Sequence, residues 1–330
     1  MLDNLIGNDN IKEQITAAIK AAKARNREIP HMLFSGHPGC GKTSLAKAVA
    51  KAAGHDMLHV SPKDLINHKR VSELLRKLDH TGYDPRGNRV ADIKPSIVFI
   101  DEIHNLPLVG QEILGIAMEN FYIETGRPNE LYWIPYFTVI GATTLAGELS
   151  KPFLDRFKLI FHFSPYTNEE SLRIIDMHAK RLKAALSYEA AMEIVNRGRG
   201  VPRILVRYLE RAIDEAYAVN SPIISRELVL TMFGRMGVDP HGFSQTEVGI
   251  LKTLYNSDRP IGLDNLAIVT GESAKTIKDT VEPELIRKGL MVRTGSGRII
   301  TQKGRDYINE YHMKDDTFDK VAIPVGYVRK

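Results

Sequence analysis

Residues 36–43 read Gly36-His37-Pro38-Gly39-Cys40-Gly41-Lys42-Thr43, the spacing G-x-x-x-x-G-K-T. No other stretch restricts the possible folds as much. Glycines 36, 39 and 41 let backbone N–H groups approach phosphate oxygens that side chains would otherwise fend off. Such a loop is delivered by a strand and continued by a helix, whose N-terminus adds favourable partial charge. Both flanks comply: the apolar run Met32–Ser35 precedes the loop and the Ala-rich stretch Ser44–Ala53 follows it. The pattern places Lys42 on the β/γ-phosphates of a nucleotide and the Thr43 hydroxyl on Mg²⁺. Gly36, Gly39, Cys40, Gly41 and Ser44 complete the backbone cradle.

The surrounding pattern agrees. Short apolar runs at Met32–Ser35, Met57–Val60, Ile97–Ile100, Phe137–Ala142 and Leu159–Phe163 alternate with amphipathic stretches. Each run is too short for an independent helix, so residues 1–164 are expected to form an α/β core on a mainly parallel sheet. After residue 165 the strand signals vanish. Thr167 and Glu170 make a capping-box pair, Ser187 and Ser225 are helix caps, and Pro202 suits a first helical turn. Residues 165–239 therefore read as a small all-helical module, and Gly237–Gly242 as a linker. From 240 to 311, three helical patterns precede two apolar runs separated by Thr294-Gly295-Ser296-Gly297, the order of a winged helix. Residues 312–330 read as a tail.

Two acids end the third apolar run, Asp101 and Glu102. Beside a P-loop, Asp101 would hold the Mg²⁺ shell and Glu102 would polarise the attacking water; standing alone, the pair would read as a solvated turn. Thr143-Thr144 end the next strand. Arg156 and Arg203 follow, and by composition alone each reads as a surface partner for a nearby acid. His104 and the lone Cys40 invite metal or redox readings, but a single residue of each kind is better explained as bland. One cysteine in 330 residues excludes an internal disulfide and fits a reducing cytoplasm. No apolar run is long enough for a transmembrane helix.

Taken in order, Gly36–Ser44, Phe99-Ile100-Asp101-Glu102-Ile103-His104, Thr138–Gly147, Asp155-Arg156-Phe157 and Pro202-Arg203-Ile204 resemble an AAA+ ATPase, and within that superfamily the RuvB family. Pro260–Ala267 and Glu282–Ile286 through Arg293-Thr294 are similar to that family's winged helix. The resemblance spans about residues 4–308. It implies an α/β AAA+ core, a helical lid and a winged-helix DNA-binding domain in an ATP-dependent homohexameric motor. Such a motor translocates duplex DNA and migrates four-way Holliday junctions in recombination and repair. Carried over residue by residue, it implies sensor 1 at Thr144 and an arginine finger at Arg156, acting on the neighbouring subunit. It also implies sensor 2 at Arg203, and an adenine pocket lined by Ile6, Tyr166 and Pro202.

The chain departs from the family pattern in three places. It starts close to Ile6, without the usual leader bearing an Arg-Pro pair. Phe153-Leu154 replaces the usual Leu-Arg before Asp155. The segment Tyr122–Ile134 resembles the hairpin that docks the partner RuvA, shortened by several residues. Tyr132, Trp133 and Ile134 in it either form an apolar anchor or pack on the chain's own core; any RuvA contact is expected to be altered or lost.

Net charge is only +5, so placement matters more than total. Arg287, Lys288, Arg293, Arg298, Lys303 and Arg305 occur with no acid between Leu285 and Arg305. Such a cluster is either a solvated basic face or a duplex-DNA contact, and on a wing the second is expected of Lys288, Arg293, Arg298 and Lys303. Two other classes compete with the motor. A clamp-loader subunit would show Ser-Arg-Cys at the finger and a helical collar. An ATP-switched DNA-binding initiator would read bases from the third helix, where Lys275, Thr276, Lys278 and Asp279 are available.

Overall fold

The computed structural model describes residue 2 and residues 5–25, 27–78, 96–124, 131–134 and 136–312. They form two compact units, residues 1–229 and 230–330, the second described as far as His312.

The first unit begins with helix α1 (Asp9–Arg25), strand β1 (Met32–Gly36), α2 (Lys42–Ala53), β2 (Asp56–Val60) and α3 (His68–Lys77). Next come β3 (Ser96–Ile100), α4 (Leu108–Asn120), a hairpin of β4 (Tyr122–Glu124) and β5 (Leu131–Trp133), and β6 (Phe137–Thr143). A short α5 (Lys151–Leu154) and β7 (Leu159–Phe163) close the core. The main sheet runs β2-β3-β6-β1-β7, every neighbouring pair parallel. Successive side chains of a strand face opposite sides, and the two cores follow that alternation. Met32 and Phe34 pack with Ile15 and Val49 of α1 and α2, together with Ile97 and Phe99. Leu33, Val98 and Ile100 join Val71 and Leu75 of α3 and Leu114 of α4 on the other face. Strands covered on both faces are largely apolar, and β3 and β6 are buried at every position.

This topology brings the expected chemistry together. Parallel strands end on one side, and β3, β6 and β1 are adjacent. The P-loop after β1, Asp101-Glu102 after β3 and Thr143-Thr144 at the end of β6 therefore share one sheet edge, the usual place for ligands in α/β sheets.

Four helices complete the unit and cross its boundary: α6 (Asn168–Leu182), α7 (Tyr188–Gly198), α8 (Pro202–Ala218) and α9 (Arg226–Met236). The capping box forms as expected, with Thr167 accepting from the Glu170 N–H and Glu170 accepting from the Thr167 N–H. Ser187 caps α7, Pro202 occupies the first turn of α8, and Ser225 accepts from the Leu228 N–H at 3.4 Å. Glu193 is clasped between Arg197 and Arg226, which ties α7 to the start of α9.

The second unit holds α10 (Gln245–Tyr255), α11 (Leu263–Thr270) and a third helix. That third helix has two α-helical pieces, α12 (Ala274–Thr276) and α13 (Glu282–Arg287), joined by a π-helical turn at Ile277–Val281. The wing is β8 (Met291–Thr294) against β9 (Gly297–Ile300), antiparallel, with Ile261 bridged to Arg298 as a third rung. A further helix, α14 (Gln302–Tyr311), buries Tyr307 and Ile308 in the core with Leu251, Leu266 and Leu285. The sequence pattern had not indicated it. Gly237–Gly242 is not a loose linker either. The Asp239 carboxylate is met by the His312 imidazole and accepts from the Tyr307 hydroxyl and from the Phe243 and His241 N–H groups; burial raises it, but these contacts hold it below the ordinary carboxylate range. Residues 313–330 of the expected tail lie outside the described residues.

Candidate active site

Gly39 and Gly41 have φ of 78° and 97°, a region costly for residues with a Cβ. A Cβ on Gly39 would come within 2.7 Å of Arg203, and one on Gly41 within 3.1 Å of the Tyr166 hydroxyl. The loop is thus bare for two reasons: its turn needs left-handed backbone, and side chains of the helical module close down on it. Lys42 follows at the first position of α2 and is buried. Its ammonium donates to the Gly36 carbonyl at 2.6 Å and to the His37 carbonyl at 3.0 Å. Those contacts keep the charge solvated by the loop itself.

Thr43 and Asp101 converge from α2 and β3, with Oγ1 3.5 Å from Oδ2. Two oxygen donors beside a phosphate cradle are the set a hard cation such as Mg²⁺ takes, the remaining positions being left to phosphate and water. Glu102 stands beside them in left-handed backbone, φ 48°, and Thr144 donates to its Oε2 at 3.2 Å. His104 reaches the same oxygen at 3.3 Å. A cavity of about 450 Å³ collects these groups, lined by the loop, Lys42, Thr43, Asp101 and Glu102, and across from them by His178, Arg203 and Arg207.

A second cavity opens beside it, bounded by Ile6, Gly7, Asn8, Tyr166, His178 and Pro202. The structure thus brings the three expected adenine-pocket residues Ile6, Tyr166 and Pro202 together. The Tyr166 hydroxyl is held by two hydrogen bonds. It accepts from Asn8 at 3.1 Å and donates to the Cys40 carbonyl at 3.3 Å, and burial pushes its phenol up to about 12. Cys40 is buried, and burial raises its thiol as well, which disfavours the thiolate and fits a packing residue.

Sequence reasoning missed His178, Arg207 and Glu210, all of which face the phosphate-side cavity. Arg207 was legible, since it lies one turn beyond Arg203 on a helix starting at Pro202. His178 was not, because nothing in its helix marks it. Its Nδ1 faces the Arg181 guanidinium at 2.9 Å, and burial followed by Arg181 pushes the imidazole down, toward its neutral form.

Arg156 takes another course. It pairs with Glu119 at 2.7 Å and lines neither of these cavities. The hairpin residues divide. Trp133 is 53% exposed and Ile134 only 5%, so the expectation that Ile134 joins an anchor is corrected: it packs with Ile123 and Phe137 in the chain's own core. The Tyr132 side chain lies outside the described residues; Leu131 and Tyr136 are exposed near Trp133.

The basic cluster of the second unit divides as well. Arg293 is exposed on β8. Arg298, its cross-strand partner, is buried and ion-paired with Glu282 of α13, which corrects the expectation that it meets DNA. Its role is to fasten the wing to the third helix. Lys303 is exposed and donates to the Lys288 carbonyl at 2.9 Å. Arg287 pairs with Glu284, and Arg305 lies over the Tyr255 ring.

Comparison with known proteins covers nearly the whole chain. Residues 1–163 match the Holliday junction DNA helicase RuvB P-loop domain, 166–239 the RuvB AAA lid domain, and 240–309 the RuvB C-terminal winged helix domain. The RuvB subunit of the branch migration complex from Streptococcus uberis is 34% identical over 313 residues, covering 92% of this chain and 89% of that one. A Streptococcus agalactiae counterpart is 34% identical over 330 residues, covering 97% and 93%. A point mutant of Thermotoga maritima RuvB superposes with a TM-score of 0.79 at 32% identity, covering 94% of this chain and 98% of that one. A second Thermotoga maritima structure, described as a Holliday junction branch migration motor, gives 0.77 at 31% identity, covering 92% and 95%. No helix among the described residues is long and apolar enough to cross a membrane.

Proposed function

The chain belongs to the RuvB family, and from that premise we propose that it is an ATP-driven hexameric motor that migrates four-way DNA junctions. One observation carries the reading: the P-loop, the acid pair and Arg203 meet at one cleft, with Thr144 bonded to Glu102, in a chain whose residues 1–163, 166–239 and 240–309 match the family's three domains. We take the modules to be divided near residues 164 and 239.

In this account Lys42 exchanges the carbonyls of Gly36 and His37 for the β/γ-phosphates of ATP. Thr43 and Asp101 hold Mg²⁺, which when bound neutralises charge on the phosphates. Glu102 polarises the attacking water and Thr144 keeps it aligned. Arg203 reaches the γ-phosphate from α8, so loss of that group releases the helical lid from the P-loop, where the Arg203 N–H also meets the Gly39 carbonyl. Arg156, held by Glu119 away from its own chain's cavities, serves the neighbouring subunit of a ring. DNA contact falls to Arg293 and Lys303, with Lys288 beside them, through phosphates and therefore with marked salt dependence. Leu131, Trp133 and Tyr136 form the face available to a RuvA-type partner, with altered affinity. The junction is read from the relatives' descriptions, and the duplex and the partner from the family resemblance.

ATP-dependent dissociation of a synthetic four-way junction, with and without a RuvA-type protein, tests the reading. The wild type should act in at least one condition, and Glu102→Gln should bind ATP and fail in both. A wild type inert in both would overturn it.

A further inference from the structure

We propose that His104 is a positioning residue for Glu102: its Nδ1–H holds one carboxylate oxygen so that the other is presented to the water. The inference rests on the reading of Glu102 as the group that polarises that water, and goes beyond it by naming what aims the carboxylate.

Glu102 needs such a support. Among the described residues it is one of the few non-glycine residues in left-handed backbone, a costly conformation that persists where surrounding contacts over-determine it. Its N–H donates to Asp101 Oδ1 at 3.1 Å and its carbonyl accepts from the Asn105 N–H at 2.9 Å, so the main chain is held from both ends. The side chain, 42% exposed, is free to rotate unless something grips it.

His104 is placed to grip it. Its side chain is only 9% exposed, and its Nδ1 lies 3.0 Å from Thr143 Oγ1 and 3.3 Å from Glu102 Oε2. Thr143 is fully buried, and its hydroxyl oxygen is fixed from behind by the Leu145 N–H at 3.0 Å. A relay of contacts thus runs from the backbone after β6 through Thr143 and His104 to the carboxylate. The proton position on the imidazole follows from electrostatics. A bare nitrogen lone pair 3.3 Å from a carboxylate oxygen would be repelled, so Nδ1 carries the hydrogen, which bonds Thr143 Oγ1 and turns its positive end toward Glu102 Oε2. Thr144 donates to the same Oε2. Both donors therefore hold one oxygen, and Oε1 is left to accept the water's hydrogen bond. When Thr144 turns to the γ-phosphate, His104 keeps the carboxylate from swinging with it.

Side-chain isosteres separate this role from simple packing. Asparagine can place an N–H where Nδ1 stands, whereas glutamine places its own near the far side of the ring. His104→Gln should lower kcat for ATP about tenfold or more, with KM and nucleotide affinity changed less than about twofold. His104→Asn should restore kcat to within about threefold of the wild type. In a Glu102→Gln background, His104→Gln should have no further effect on the residual rate. Equal kcat for the Gln and Asn variants, or a full additional loss in the Glu102→Gln background, would overturn the proposal. A melting temperature near that of the wild type shows that each variant is folded; if His104→Gln is not, the same comparison is made with His104→Ala against His104→Asn. A wild type that does not hydrolyse ATP would overturn the reading of Glu102 itself. Normal hydrolysis that is indifferent to His104 would overturn only this inference.

Discussion

At the scale of single residues, burial decides which titratable groups can change state. His31 sits between β1 and its neighbours, donating from Nε2 to the Met118 carbonyl and accepting the Val139 N–H at Nδ1, each at 2.9 Å. Both ring nitrogens are thus committed in the neutral form, and burial holds the imidazole below its usual value. The unfolded chain takes up a proton near pH 6.5 and the folded chain only at lower pH, so stability is complete above about 6.5 and falls as pH drops below it. The expected outcome is a melting temperature that declines between pH 7 and 5, with a shallower decline in His31→Gln. An unchanged slope in that variant would remove His31 as the cause. Which P-loop and acidic residues share the cleft was legible in the sequence at this scale, because P-loop spacing and acids at a strand end are local patterns. His178 and His104 were not legible as cleft groups: what matters for them is which residue a fold places opposite, and no spacing encodes that.

Secondary-structure elements were read well where the pattern was periodic and bounded. The five strands of the main sheet fall within a residue or so of the apolar runs, and Thr167–Glu170 forms the box that its spacing announced. The wing was legible as a hairpin and misleading as a charged surface. Charge can be counted in a sequence, but not whether a long side chain turns outward, and Arg298 turns in toward Glu282. Helix α14 escaped because Tyr307, Ile308 and Tyr311 crowd its last turns and its first turn carries no apolar side chain. The two arginines opposite each other on the wing should therefore behave differently. Arg293→Ala should weaken duplex binding and reduce its salt dependence, leaving the unit's melting temperature nearly unchanged. Arg298→Ala leaves Glu282 buried and unpaired, which costs about 3–5 kcal/mol, and should lower stability first. Duplex titrations at two salt concentrations, read beside thermal melts, separate them. Equal loss of DNA affinity from two equally stable variants would contradict the assignment.

Over the whole molecule, function depends on whether hydrolysis in one subunit is felt by the next. On the proposed reading, the cleft gathers the groups that would hold and cleave ATP, and Arg156, paired here with Glu119, would supply a further cation to the neighbouring subunit. The chain would then work as a ring, since Arg156 lines neither cleft cavity of its own chain. Mixing subunits measures this directly. Glu102→Gln protein is titrated into wild type at constant total concentration, with ATP hydrolysis and four-way-junction dissociation recorded in the same reaction. The account predicts that junction dissociation falls more steeply than the wild-type fraction, because each inactive subunit stalls its neighbours, and that it stops when hydrolysis stops. Junction dissociation that proceeds at the wild-type rate with Glu102→Gln alone, without hydrolysis, would contradict an ATP-driven ring.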